Sequence, residues 1–294
     1  MPYFNLREVA LGRRKHSCSF VPPSENTILE GAVCHRMIRR TFLFLPTVGA
    51  STERSLWRRG ILDWDDFLDR ENIDGFSAPR KRRLDQGIAD ARRYLDLNET
   101  NYFSRLLPSR EHWRLYEHAK REVAYLDIET DGLGQGSIVT VVGICRHGRT
   151  TALVRGIDLN PGTLSQALRG TKLLVTFNGS SFDLPFLERE FPFAVPKVPH
   201  FDLRHGCARI GLRGGLKSIE RQLGMARAQE VEYVTGEQAV YLWHLWERKG
   251  KENALKLLKR YNEEDTKNLE PIAALAYERL MRSTVDCGRE RDER

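Results

Sequence analysis

The stretch AYLDIETDGLG, Ala124 to Gly134, limits the fold more than any other part of the chain. Glu122 to Ile128 reads as a short apolar strand that ends in two acids, Asp127 and Glu129, with Ile128 between them. Side chains on a strand alternate between faces, so Asp127 and Glu129 project together while Leu126 and Ile128 turn the other way. Two carboxylates held side by side raise one another's pKa unless a cation sits between them. Hard divalent ions take oxygen ligands, commonly one or two carboxylates with water and substrate phosphate. On these residues alone a metal-gathering pair and two solvated acids at a strand end remain equally open.

Around this strand the pattern changes once. Before it, from Arg40 to about Lys120, apolar residues recur at helical spacing. TFLFLPTVGASTERSLWRRGILDWDDFL reads as an apolar lead-in, a Pro46/Gly49 turn and a helix capped at Ser51 or Thr52 with Glu53 in its first turn. Gly60 ends that helix, and Asp63 caps the next, whose apolar face is Trp64, Phe67 and Leu68. The basic run Arg80 to Arg83 and the Arg92–Arg93 pair read as solvated helix faces. After Ala124 strands and helices alternate. Ser137 to Arg146, Thr150 to Arg155, Lys172 to Asn178 and His200 to Leu203 read as strands. Helices are expected over Thr163–Leu168, through Phe186 to Arg189, and over Leu216–Leu223, Gly236–Arg248 and Glu252–Leu280, the last broken near Pro271. The Trp243/Trp246 stripe reads as core. Such alternation predicts a mixed α/β sheet covered by helices.

Composition narrows the function classes. A chain of 294 residues, 40% hydrophobic and 30% charged, has enough apolar material for one large domain or two modest ones. It carries no apolar run of about 18 residues and no signal-peptide core, so no membrane span is expected. The five cysteines are odd in number and scattered, which argues against a disulfide framework or a zinc site and for a reducing, cytoplasmic compartment. Lys plus Arg exceed Asp plus Glu by 47 to 40, a +7 balance compatible with a polyanionic partner. Residues 1–36, with RRKH at Arg13 and VPPSEN at Val21, read as turn-rich, poorly ordered chain, and translation from Met37 is one account of them.

A site for two cations about 3.5–4 Å apart needs more than two carboxylates. Two candidates lie downstream at element ends. Asp183, in TFNGSSFDLPFL, follows a strand and a turn at Asn178-Gly179; Asp265, in RYNEEDTKNL, lies one helical turn after Tyr261. Singly, each has a plain reading: a turn aspartate, a helical acid, a core tyrosine.

Taken together, Asp-x-Glu at a strand end, Asn-x-x-x-Phe-Asp after a later strand and Tyr-x-x-x-Asp on a C-terminal helix resemble the three motifs of the DEDD exonucleases. The tyrosine spacing is that of the DEDDy branch; Arg260 stands where the DEDDh branch would have histidine. The segment is similar to YprB-like ribonuclease H-fold exonucleases and to the proofreading domain of family B DNA polymerases, over residues 120 to 282. The helical lead-in resembles a helix-hairpin-helix module, with Thr47 in place of the hairpin's first glycine.

The resemblance implies an α/β, ribonuclease H-like mixed sheet of five strands in the order 3-2-1-4-5, strand 2 antiparallel, flanked by helices. It also implies a helical, nucleic-acid-binding region over 37–117, a nuclease domain over 118–282 and a flexible tail over 283–294. Asp127, Glu129, Asp183 and Asp265 would hold two Mg2+ or Mn2+ ions, and Tyr261 would orient the attacking water. Thr130, Asn178, Phe182 and Lys217 (with Arg213) would contact the substrate, a single-stranded 3′ end of DNA or RNA. A structure-specific endonuclease of the same fold and a catalytically silent nucleic-acid-binding module are the alternatives.

Overall fold

Residues 37–119 turn helical because their apolar side chains recur every three or four positions between Gly, Pro and acidic stops. A computed structural model describes residues 37–134 and 136–286. The expected N-terminal extension, 1–36, and the end of the expected tail, 287–294, lie outside the described residues. The helices are α1 (Met37–Arg40), α2 (Ala50–Arg58), α3 (Trp64–Leu68), α4 (Ala78–Asp96), α5 (Asn101–Leu106) and α6 (Tyr116–Ala119), with a 3-10 turn over Ser109–Leu115. Asp63 caps α3 as expected, accepting the amides of Asp65 and Asp66. The cap of α2 is Gly49, so this helix begins before Ser51 and Thr52 and takes both into its first turn. Thr47 has a φ of 63°, the left-handed region in which glycine is at ease.

The expected basic run on α4 is not uniformly solvated. Lys81 is buried and ion-paired with Asp85 at 2.6 Å, and Arg80 packs over the ring of Phe76. Glu53, legible in the sequence only as a first-turn acid, is 2% exposed. Its carboxylate accepts Thr41 Oγ1 and the Phe42 amide at 2.7 Å each, and pairs with Arg114 at 3.0 Å. Arg114 in turn bonds Glu111 at 2.8 Å. Buried charges persist only when paired and hydrogen-bonded in this way.

The β-branched runs that follow pair into one five-stranded sheet of order β3-β2-β1-β4-β5. The strands are β1 (Val123–Thr130), β2 (Val139–Arg146), β3 (Arg149–Val154), β4 (Leu173–Thr176) and β5 (His200–Asp202). β2 is antiparallel to both β1 and β3, whereas β4 runs parallel to β1 and β5 parallel to β4. This is the mixed sheet the resemblance implied. Between and after the strands come α7 (Pro161–Ala167), α8 (Asp183–Glu190), α9 (Leu203–Arg209), α10 (Leu216–Gln222), α11 (Gly236–Lys249) and α12 (Glu252–Asp286). α7 starts two residues before the expected Thr163, because Asn160 and Thr163 form a capping box around Pro161.

Alternation along β1 sets the layers. Val123 and Tyr125 enter one core with Leu173, Val175, Phe201 and the α12 residues Leu269, Ile272 and Ala276. Ala124, Leu126 and Ile128 enter a second core on the opposite face, with Leu164 and Leu187 of α7 and α8. Asp127 and Glu129 continue the first of these faces.

α12 is unbroken through Pro271, contrary to the break expected there. Pro271 is exposed, so the carbonyl it deprives of a partner faces water, while Leu269, Ile272, Ala273 and Ala276 are fully buried around it. Packing on the inner face outweighs the lost hydrogen bond. The same core takes in Trp64, Phe103 and Trp113 of the helical region. Among the described residues no helix is long and apolar enough to cross a membrane.

The Glu53–Arg114 pair yields a stability prediction. Glu53→Ala leaves a guanidinium whose side chain is 4% exposed with Glu111 alone and takes the acceptor from the Thr41 hydroxyl and the Phe42 amide, and urea denaturation is expected to register a loss of about 3 kcal/mol. Arg92→Ala, which removes the half-exposed pair with Asp65, is expected to cost about 0–1 kcal/mol in the same assay.

Candidate active site

β1 and β4 pair only from Val123 to Tyr125 on the β1 side. β4 stops at Thr176, so the C-terminal half of β1 loses that neighbour and a crevice opens at the carboxyl ends of two parallel strands, the customary place for a ligand in such sheets. The Ile128 amide, left without a ladder partner there, donates to Asp183 Oδ1 at 3.1 Å. Asp183, on the first turn of α8 and 3% exposed, is therefore tied across the gap to β1 and does not cap its own helix. A cleft of about 620 Å³ occupies the opening, lined by Asp127, Glu129, Thr130, Asn178, Phe182, Asp183, Tyr261 and Asp265 among others.

Oxygens of Asp127, Glu129 and Asp265 come within 4.8 Å of one another. Asp265 arrives on α12, and Tyr261, one turn earlier on the same helix, lines the cleft beside it. Burial first, then mutual repulsion with Asp265 and Asp183, pushes Asp127 and Glu129 well above the usual carboxylate range. Burial likewise raises Asp183 to about 7. Asp265 rises only to about 6, because Arg227 opposes the burial effect. Carboxylates forced together against their preference for separation and water are a donor set suited to hard cations. The residues present thus fit a divalent metal.

Phe182 lies on the cleft wall with its ring centroid 4.9 Å from that of Phe186. Thr130 directs its hydroxyl to the Gly132 carbonyl at 2.6 Å, and Asn178 sits in the left-handed region with φ 67°. Lys217 is placed differently from the other expected contacts. It is not on the cleft wall: its Nζ bonds the Val234 carbonyl and stands 4.9 Å from the centre of the Tyr261 ring. From there its charge acts on Glu129 at a distance.

Four supports escaped the sequence reading. Asn262, fully buried, donates to the Asp127 carboxylate at 3.0 Å and to its carbonyl at 3.3 Å. Gly143, opposite Asp127 on β2, leaves room for this: a Cβ there would collide with Asn262 Oδ1 and Thr266 Oγ1. Arg227 bonds Glu220 at 2.5 and 2.7 Å and approaches Asp265 at 2.5 Å. Asp202, at the end of β5, accepts the amides of Asn178, Ser180 and Arg204 at 2.8, 3.1 and 3.0 Å, which fixes the loop that carries Asn178, Phe182 and Asp183. A signal for Asn262 did exist, in the polar positions 261, 262, 265 and 266 that interrupt the apolar stripe of α12. Arg227, in an irregular loop far along the chain, left none.

The sequence profile of the RNase_H_2 family, described as RNase H superfamily, matches residues 124–277, just over half of the chain. The chain belongs to the ribonuclease H superfamily. A comparison with curated protein sequences returned no significant match. The matched span begins in β1 and ends in α12, so it contains the clustered Asp127, Glu129 and Asp265 together with Asp183 and Tyr261. Superfamily membership and the carboxylate triad together support a metal-dependent nuclease that acts on nucleic acid.

Two predictions follow from the supports and the charge. Gly143→Ala is expected to displace α12 at a cost of about 1–3 kcal/mol and to lower metal-dependent activity in protein that remains folded by circular dichroism. In the metal-free protein the raised acids hold protons that the unfolded chain has released, so their contribution is favourable at low pH. It fades as pH rises through about 6 for Asp265 and about 7 for Asp183. A bound cation reverses that loss. The rise in Tm produced by Mn2+ is accordingly expected to be larger at about pH 8 than at about pH 5.5, and to vanish in Asp127→Asn.

Proposed function

We propose that the chain is a DEDDy-type 3′–5′ exonuclease that hydrolyses the terminal phosphodiester bonds of single-stranded DNA or RNA with two Mg2+ or Mn2+ ions. The observation that carries this reading is the seat of Tyr261, which lines the cleft with Asp265 beside the Asp127–Glu129–Asp265 cluster. Cations held by these three acids, with Asp183 joining directly or through water, would supply a water of lowered pKa and stabilise charge on the leaving 3′ oxygen.

The chain's own groups do the rest. Burial and the field of Asp265, Glu129 and Asp127 push the Tyr261 hydroxyl far above the ordinary tyrosine value. It therefore keeps its proton and serves to hold the attacking water in line, not to deprotonate it. The Asn262 amide fixes the Asp127 carboxylate, and Arg227 fixes Asp265. On the cleft wall Phe182 takes the terminal base by stacking, while Asn178 and the Thr130 backbone take the terminal sugar. The helical lead-in, residues 37–117, serves as an accessory that grips nucleic-acid backbone, a role supported by the hairpin-like turn at Thr47.

The experiment is digestion of end-labelled single-stranded DNA, duplex DNA and RNA with Mg2+ or Mn2+. Asp127→Ala and Asp265→Ala are expected to abolish turnover while nucleic-acid binding survives. Tyr261→Phe is expected to slow cleavage about 100-fold without eliminating it. Cleavage by Asp127→Ala at the wild-type rate removes the site assignment. Internal products from a 3′-blocked strand point instead to an endonuclease, and a complete absence of metal-dependent shortening leaves a binding module.

A further inference from the structure

A second cavity, of about 630 Å³, adjoins the acidic cleft and shares Phe177 and Asn178 with it. Its remaining wall is Arg204, Ala208, Leu212, Arg213, Gly214, Gly215 and Leu216. The two spaces are opposite in character: carboxylates floor the first, while the second holds two arginines and no acid. Both arginines are exposed, and among the described residues neither is ion-paired, unlike Arg39, Arg59, Arg92 and Arg227, each held by a carboxylate. Arg204 reaches instead to Asn178 Oδ1 at 2.8 Å, on the border between the cavities. Beside Arg213, Gly214 has a φ of +119°, and a Cβ at Gly215 would meet nothing within 4 Å. This wall is bare backbone, which lets a bulky ligand approach closely. Phe177, half-buried on the shared wall, offers a ring to any base that crosses.

We propose that this basic groove carries the phosphodiester backbone of the nucleotides next to the one held in the acidic cleft, so that the substrate is a polynucleotide strand spanning both cavities. The inference rests on the nuclease reading above and deepens it. An acidic floor repels a polyanion wherever no cation intervenes, so a substrate several phosphates long needs a cationic track to remain seated. Arg204 and Arg213 supply that track with planar, multidentate donors suited to phosphate. Arg204, by its bond to Asn178, also links occupation of the groove to the residue at the mouth of the cleft. A dinucleotide gains little from such a track, whereas a longer strand gains one charged contact for each arginine.

The test uses the full chain and a fluorescent octanucleotide, DNA in one arm and RNA in the other, with Ca2+ replacing the catalytic ion so that anisotropy reports binding alone. Arg213→Glu is expected to weaken octanucleotide binding about tenfold and to lower the slope of log affinity against log salt by about one; Arg204→Glu,Arg213→Glu is expected to lower it by about two. Initial rates on the octanucleotide relative to a dinucleotide should fall by the same factor, and Arg213→Lys should restore most of it. Unchanged binding and salt slope in the double variant, equal losses on both lengths, or a wild-type protein that does not bind the octanucleotide would each overturn the groove. A wild-type protein that binds the strand through these arginines yet cleaves nothing would sink the exonuclease reading and leave the groove standing. Equal response of the DNA and RNA arms assigns recognition to phosphate, and a response in one arm alone assigns the track to that nucleic acid.

Discussion

Three carboxylates, half-buried Asp127 and buried Glu129 and Asp265, lie within a few ångströms of one another and repel, and the elements around the cleft hold them there. The repulsion is resisted from two sides. β1 carries Asp127 and Glu129 on a strand whose other residues are locked into two cores, and α12 brings Asp265 in on a helix whose apolar stripe is packed before and after it. Gly143 removes the one side chain that would hold helix and strand apart. Local strain of this kind persists only where surrounding packing over-determines the conformation. Arg227 relieves part of it at Asp265, and Glu220, itself held by the Asn268 amide, keeps that guanidinium in place.

The contrast between neighbouring cavities follows from the same arrangement. Where β1 and β4 part company, the sheet exposes strand ends and a loop pinned by Asp202. One side of that loop faces the acids, and the other faces Arg204 and Arg213. A single short turn, Phe177–Asn178, thus separates a place suited to cations from a place suited to phosphates. The sheet and the acids lie within the span that matches the superfamily, and loops at the strand ends carry the charges around them.

Much of this was legible beforehand. Strand identity and sheet order follow from β-branched runs and from the motif resemblance, because local pattern and tertiary context agree there. The acids at 127, 129, 183 and 265 stood out as a set though not singly, since each alone is an ordinary residue in an ordinary place. What stayed hidden depends on three-dimensional neighbours. Nothing in ASTERSLW tells that Glu53 is buried against Arg114, 61 positions away. Pro271 reads as a helix break because sequence cannot reveal which side of the helix is wet. Lys217 reads as a phosphate contact, and only the fold shows Val234 claiming its ammonium.

The uninterrupted run of α12 has a mechanical consequence. Near one end it sets Tyr261 and Asp265 in the cleft; three turns on, Tyr277 packs edge-on to Trp113 and tilted against Tyr116, with its hydroxyl accepting the Met37 amide at 3.4 Å. A stiff rod spans the distance between the place where a bond would break and the aromatic anchorage of the leading helices. Whatever pulls on that anchorage is felt as tilt at the acids, so the front segment and the cutting end cannot drift independently.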